Sequence, residues 1–422
     1  MIQDFYVENF MSFGERQYVS FEATSDKTYL DELTVEVKPG VRLLKTAIIY
    51  GANASGKSNL LFAIQTLWHL LVIPKETKNK PLVQYKPFAL LKDKPTVLGI
   101  TFYAQGIKYI YEIRYNEIAI LSEKLEYVKG IRSALLYERN EGNQIKFGGN
   151  AGLTKKTINT IVSNTLSNHT VLSTFAKINI EDDNSDYETL YHWIEENIHP
   201  VGEHNKLIDI AIETEKNSIL KEFIKETLCV SDFNITDFDV VDKIDESALK
   251  LRDKINNDNE LPDDAKEDLI KSYLKNLEFT HSSNNGKFRL EKSEESSGTI
   301  RFFGISRKIY DLVNNDCIYL IDELEDSLHY DLMLHILLRF IRNSNNSQLI
   351  FTTHNILLLD EDFIRRDMVK LVEKDRNTAE SQVYSASDFK LHKKLSLFNA
   401  YKIGKFGAKP ELGSTLISLK QE

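Results

Sequence analysis

Apolar positions along the chain change period several times, and each change predicts a new element. Phe5-Tyr6-Val7 and Tyr18-Val19-Ser20-Phe21 read as strands, with Ser12-Phe13-Gly14 turning between them. Ala47-Ile48-Ile49-Tyr50 is a short continuous apolar run, the pattern of a strand buried on both faces. The apolar stretch from Leu60 to Pro74 reads as the helix that follows. Between 96 and 147 the pattern is β again: Val97 to Tyr103, Lys108 to Tyr115 and Glu123 to Val128 are rich in β-branched and aromatic residues, with Gln105-Gly106 as a turn. From about 150 to 275 helical spacing takes over, in Leu207, Ile208, Ala211 and Ile212, then Ile219, Leu220, Phe223, Ile224 and Leu228, then Leu269, Ile270, Tyr273, Leu274 and Leu277. Leu277 to Leu290 reads as a hairpin around Asn285-Gly286. Beyond 298, helix and strand patterns alternate: a helix over Ile300–Val313 and strands over Cys317–Ile321, Gln348–Thr353 and Met368–Glu373. The expectation is an α/β fold with a mixed sheet, an antiparallel β lobe and a helical insertion. It divides at 1–150, 151–276 and 277–422.

Composition narrows this picture. With 422 residues, 42% of them hydrophobic, the chain is long enough for two or three packed domains or one large domain with an insertion. A formal net charge of -10 argues against a wholesale electrostatic grip on nucleic acid. Lys75, Lys78, Lys80 and Lys86 form a local basic run, and so do Lys390, Lys393, Lys394, Lys402, Lys405 and Lys409; solvated faces are the expectation for both, a helix for the second. The acidic cluster Glu181-Asp182-Asp183, with Asp186 and Glu188, reads as a solvated loop. Two cysteines, Cys229 and Cys317, suggest no disulfide framework and fit a reducing, cytoplasmic setting. No secretion signal opens the chain, and Gln65, Thr66 and His69 interrupt the Leu60–Pro74 run, so no membrane span is expected. Between 150 and 275 there are no sustained heptads, and Pro200, Gly202, Pro262 and the Asn/Asp run 256–259 break the pattern, which predicts a compact subdomain rather than a long arm.

Gly51-Ala52-Asn53-Ala54-Ser55-Gly56-Lys57-Ser58 carries the clearest chemistry, joined at its end by Asn59. The spacing Gly, four residues, Gly-Lys-Ser between a strand and a helix is that of a phosphate-cradling loop. Backbone N–H groups turn onto phosphate oxygens, and the helix N-terminus adds the positive end of its dipole. Lys57 is placed to reach the β- and γ-phosphates, and the Ser58 hydroxyl to ligate magnesium. Asp322-Glu323 follows an apolar strand; there Asp322 is expected to hold the metal and Glu323 to orient a water. His354 ends the next strand, on the ligand-binding edge of an open sheet, where it is placed to bond a γ-phosphate. Ser296-Ser297-Gly298-Thr299 opens a helix and forms a second anion-type N-terminus, which read alone is an ordinary N-cap.

The order phosphate loop, Ser-Ser-Gly-Thr, acid pair, histidine resembles that of ABC-type ATPase heads of the SMC/RecF/OLD-like group. Within that group the chain is most similar to the RloA-like ATPases of abortive-infection and phage-defence loci. Val7-Glu8-Asn9-Phe10-Met11-Ser12-Phe13 resembles their opening strand and loop, Glu295 to Thr299 takes the place of their signature, and Asp322 to His329 resembles their acid pair and the loop after it. Thr352-Thr353-His354-Asn355 resembles their switch segment, and Tyr401 to Gly404, Phe406 to Ala408 and Pro410 their tail. Departures are the single glycine of the signature, Thr299 where glutamine is common, and Tyr330 where proline is common.

The resemblance implies ATP rather than GTP, magnesium held by Ser58 and Asp322, and Gln84 as the Q-loop residue that joins them. It implies a homodimer or higher homo-oligomer in which Ser296 to Thr299 close on the other subunit's nucleotide, with hydrolysis by Lys57, Glu323 and His354. In biology it implies a sensor or scaffold in antiviral defence, controlling a separate TOPRIM-like or RloB-like nuclease or toxin. No fused nuclease is expected after His354. The alternatives are a RecF-like ATPase that clamps DNA and a nucleotide-gated platform with little turnover.

Overall fold

A computed structural model describes residues 1–78, 80–149, 152–179, 186–201, 207–231, 234–242, 246–258, 261–390 and 395–410. The acidic residues 181–183, Gly202, Lys393 and Lys394 lie outside the described residues. In chain order the elements are β1 (Ile2–Glu8), β2 (Gln17–Ser20), α1 (Leu30–Leu33), β3 (Thr34–Lys38), β4 (Val41–Leu44), β5 (Thr46–Tyr50) and α2 (Lys57–Val72). Next come β6 (Thr96–Ala104), β7 (Ile107–Tyr115), β8 (Ile120–Val128), β9 (Ala134–Asn140), β10 (Gln144–Phe147), α3 (Lys155–Asn164), α4 (Val171–Thr174), α5 (Asp186–Asn197) and β11 (Ile198–His199). They are followed by α6 (Leu207–Lys216), α7 (Ser218–Cys229), β12 (Ile235–Asp242), α8 (Glu246–Asn256), α9 (Asp263–Leu274), β13 (Lys275–Ser283), β14 (Gly286–Glu291) and α10 (Ser297–Asn314). The chain then runs through β15 (Ile318–Ile321), α11 (Tyr330–Asn343), β16 (Gln348–Thr352), β17 (Val369–Lys374), β18 (Ser381–Ser385) and α12 (Leu397–Lys402). Contacts divide the chain into two compact units, one of Met1–Val201, Cys317–Leu324 and Asn346–Glu422, the other of Gly202–Asp316 and Glu325–Asn345.

The first unit holds two large sheets. One is antiparallel, in the order β10-β9-β8-β7-β6-β1-β2; the other has the order β11-β15-β16-β5-β17-β18 and is parallel except for β18. Strand β7 shows the half-buried alternation, with Tyr109, Tyr111, Ile113 and Tyr115 inward and Glu112 and Arg114 outward. Strands β5, β15 and β16 are buried at every position, as central parallel strands must be, and their sequences are accordingly continuous apolar runs. Helix α2 touches β1 of one sheet and β16 of the other. Its buried residues Leu60, Leu61, Ala63, Ile64, Leu67, Trp68, Leu70 and Leu71 belong to the core shared by both sheets. Among the described residues no helix is long and apolar enough to cross a membrane.

The second unit packs α6, α7 and α10 with the antiparallel sheet β12-β13-β14. Its centre is aromatic: Phe303 of α10 meets Phe238 and Phe279 edge-on, with ring centroids 5.0 and 5.5 Å apart. The hairpin around Asn285-Gly286 is β13–β14. Strand β12 corrects the helical reading of its stretch. A register shift between Ile235 and Asp237 puts Ile235 and Phe238 on the buried side together, and this hides the period of two. The helix expected over the last lysine run is only the six-residue α12, which buries Leu397, Ala400 and Tyr401 before Gly404 turns the chain.

Lys370 is a buried cation of the first unit. Lys370 of β17 is 4% exposed, and its Nζ donates to the Asp367 carbonyl at 2.7 Å. Burial pulls its pKa from 10.5 down to about 8. Between those two values the unfolded chain binds the proton that the folded chain has released, so this residue makes stability rise with pH there. Below pH 8 the folded state carries the full cost, roughly 3 kcal/mol before the Asp367 bond is credited. Lys370→Met is therefore expected to be more stable than the parent at pH 7, with the gap closing by pH 10. Urea unfolding at the two pH values reads this directly, and a gap independent of pH would count against it.

Candidate nucleotide-binding site

Strand β5 runs in the middle of its sheet, parallel to β16 on one side and β17 on the other. The C-terminal ends of β5, β15 and β16 therefore open on one edge, where ligands of open α/β sheets bind. The loop leaving β5 is built to pass close to its neighbours. A Cβ at Gly51 would lie 2.2 Å from the Val372 carbonyl oxygen, and Gly56, at φ 112°, faces the hydroxyls of Ser381 and Ser12 at 2.5 and 2.7 Å from where its Cβ would be. Gly56 is the N-cap of the 16-residue α2 and supplies no capping side chain. That helix N-terminus is thus left to meet an anion. Lys57 is 6% exposed, and its Nζ donates to the carbonyls of Gly51 and Ala52, both at 3.1 Å. Among the described residues the buried Ser55 hydroxyl has no hydrogen-bond partner. A buried cation, an orphaned hydroxyl and an uncapped helix start suit a phosphate group.

The acid pair stands beside this loop. Asp322 Oδ1 accepts from the Ser58 hydroxyl at 3.0 Å and from the Thr352 hydroxyl at 2.6 Å. Thr352 Oγ1 in turn accepts from the Glu323 N–H at 2.8 Å, and the Thr352 carbonyl accepts from the Leu324 N–H at 3.1 Å. This pinning holds Glu323 at φ 49°, a left-handed conformation that a non-glycine residue adopts at a cost. His354 Nε2 lies 3.8 Å from Glu323 Oε1, and both side chains are partly exposed. The structure thus brings Ser58, Asp322, Glu323 and His354 to one edge. Ser58 Oγ and Asp322 Oδ1 fit a magnesium ion that draws its other ligands from phosphate and water.

Other expected residues make contacts of their own. Gln84 accepts from Lys75 Nζ at 3.4 Å, and its carbonyl accepts from the Tyr115 hydroxyl. None of these bonds joins it to Ser58 or Asp322. Ser296 is the N-cap of α10, its hydroxyl accepting from the Thr299 N–H at 3.0 Å, and it belongs to the second unit with Ser297, Gly298 and Thr299. Asn59 reaches Ser12, which sits against the loop. Thr352 and Ser12 lie in segments quoted for the resemblance but with no role assigned to them, and Ser381 has no motif at all; only the folded chain puts them beside the phosphate loop.

Residues 47–360 match the family described as "AAA domain, putative AbiEii toxin, Type IV TA system". The chain belongs to this AAA-domain family. The matched segment of the AAA-domain protein contains the phosphate loop, Ser296 to Thr299, the acid pair and His354. With the two sheets and the phosphate loop between β5 and α2, this makes it a mixed α/β P-loop ATPase. Among solved structures, an SMC head bound to the C-winged-helix domain of ScpA is 15% identical, covers 95% of this chain and 99% of its own, and has a TM-score of 0.41. The SMC head domain from Thermotoga maritima is 13% identical, with coverage of 91% and 98% and a TM-score of 0.40. An Smc head with an extended coiled coil, bound to the C-terminal domain of ScpA derived from Pyrococcus furiosus, is 14% identical, with coverage of 97% and 99% and a TM-score of 0.34. No curated protein matches the AAA-domain chain.

Proposed function

We propose that this AAA-domain protein binds ATP with magnesium and works as an ATP-dependent homodimer in a bacterial antiviral system, where the ATP-bound dimer controls a separate nuclease or toxin of the TOPRIM-like or RloB-like kind. The observation that carries the reading is a second hydroxyl- and glycine-containing helix start, in a different unit from the phosphate loop. Ser296 to Thr299 open α10 in the second unit, whereas the phosphate loop belongs to the first. In this reading Ser296 to Thr299 of one copy close on the γ-phosphate held by another. The family description, which names a toxin of a type IV toxin–antitoxin system, supports a defence setting.

Lys57 steadies the β- and γ-phosphates, Glu323 aligns the attacking water and His354 holds the γ-phosphate as charge moves off it. Ser58 and Asp322 would hold magnesium, which would supply neutralising charge on the phosphates. Light scattering of a Glu323→Gln variant tests the assembly. The mass is expected to double when ATP is added and to fall back when it is removed. An unchanged mass with ATP bound would overturn the dimer.

A further inference from the structure

Two serines to which the sequence assigns no role in the site touch the phosphate loop. Ser12 lies in the turn between β1 and β2, and Ser381 opens β18; they are 9% and 1% exposed. The Ser381 N–H donates to the Ser12 carbonyl at 2.7 Å. Their side chains form a line: Asn59 Nδ2 is 2.8 Å from Ser12 Oγ, Ser12 Oγ is 2.7 Å from Ser381 Oγ, and Ser381 Oγ is 2.5 Å from the Ser55 carbonyl oxygen.

The Ser381 hydroxyl donates toward both Ser12 Oγ and the Ser55 carbonyl, and Ser12 Oγ also accepts from the Asn59 amide. The relay therefore joins Asn59, Ser12, Ser381 and Ser55, from the first turn of α2 back to the loop that precedes it, with Ser381 as the group that holds the Ser55 carbonyl. Its two hydroxyls also close on Gly56, the residue after Ser55. The peptide unit between Ser55 and Gly56 is planar and trans, so its C=O and N–H point in opposite directions. Tying down the Ser55 carbonyl on one side aims the Gly56 N–H on the other. The scaffold of the relay is itself fixed, because the Glu15 N–H donates to Glu380 Oε2 at 2.9 Å and the Val383 N–H to Gln17 Oε1 at 3.0 Å.

We propose that Ser12 and Ser381 are positioning residues for the triphosphate: Ser381, seated against Ser12, holds the Ser55 carbonyl, and through this relay they set the orientation of the Ser55–Gly56 peptide, and so of the Gly56 N–H offered to a phosphate oxygen. The proposal rests on the nucleotide reading of the loop. It gives the β17–β18 hairpin, late in the chain, a part in nucleotide affinity.

The test is a double-mutant cycle on the full chain, with Ser12→Ala, Ser381→Ala and the pair, read by titration with a fluorescent ATP analogue and by steady-state hydrolysis. Each single change is expected to weaken nucleotide binding and raise KM by about tenfold, the worth of one hydrogen bond, with kcat within about threefold. The pair is expected to be no worse than Ser381→Ala, because a relay broken once transmits nothing more. Unaltered affinity in both single variants, or losses that simply multiply in the pair, would overturn the relay while leaving the nucleotide site standing. A parent protein that binds the analogue no better than Lys57→Ala would overturn the nucleotide reading itself, and the relay with it.

Discussion

A Glu323→Gln variant is expected to hydrolyse ATP on the order of a thousandfold more slowly while binding it as tightly as the parent. The expectation follows from how Glu323 is held. It follows β15 at φ 49°, its N–H tied to the Thr352 hydroxyl, with a side chain that is 56% exposed and 3.8 Å from His354. A carboxylate in a costly backbone conformation, partly open to solvent beside a phosphate loop, is suited to touching a water rather than to supporting the fold. Glutamine keeps its shape and removes its charge. In the proposed reading the nucleotide is held by Lys57 and the loop N–H groups, so Lys57→Ala is expected to lose binding where Glu323→Gln does not. Single-turnover hydrolysis and equilibrium titration separate the two. If Glu323→Gln kept its kcat, or lost affinity in step with kcat, Glu323 would not be the residue that aligns the water.

The parts of this fold that are legible in the sequence are those whose physics is local. Strands β5, β15 and β16 are buried on both faces, so they appear as unbroken apolar runs, and the phosphate loop declares itself because its spacing sits between such a run and a helix. The hairpin β13–β14 announces itself through Asn285-Gly286. What is not legible depends on distant partners. Thr352 looks like any strand threonine until Asp322 and the Glu323 N–H arrive at its hydroxyl. Ser12 and Ser381 are ordinary turn and edge residues until the fold stacks them on Gly56. Gln84, a glutamine in a loop, has the right chemistry for a metal-site link, and in the fold its partners are Lys75 and Tyr115. Strand β12 was masked by its own bulge, which sets aside the alternation on which strand reading depends.

The largest stability effect is expected far from the nucleotide, at the fully buried pair Arg139–Glu123. The two residues face each other across β8 and β9, with Arg139 Nη1 3.1 Å from Glu123 Oε1 and neither side chain exposed. Neither charge is left bare. The Glu123 carboxylate also accepts from the Tyr111 hydroxyl at 2.8 Å and the Val171 N–H at 2.8 Å, while Arg139 donates to the carbonyls of His169 at 2.7 Å and Leu166 at 2.9 Å. The pair thus fastens the segment around Leu166–Val171, which leads into α4, onto the seven-stranded sheet. His169 is held there as a neutral ring, its pKa brought down to about 4, mainly by burial. Arg139→Met is expected to cost about 3–5 kcal/mol, because it strands the Glu123 charge and two backbone carbonyls in the interior. Adding Glu123→Leu removes the stranded charge, so the double variant is expected to recover part of the loss and to fall well short of the sum of the single changes. It does not recover everything, since Leu166, His169 and Val171 still lack their partners. Urea unfolding gives the coupling, and hydrogen exchange at residues 165–175 shows whether that segment loosens before the rest of the sheet. Equal protection there in parent and Arg139→Met would mean that the segment is held by its apolar contacts and that the ion pair is incidental to it.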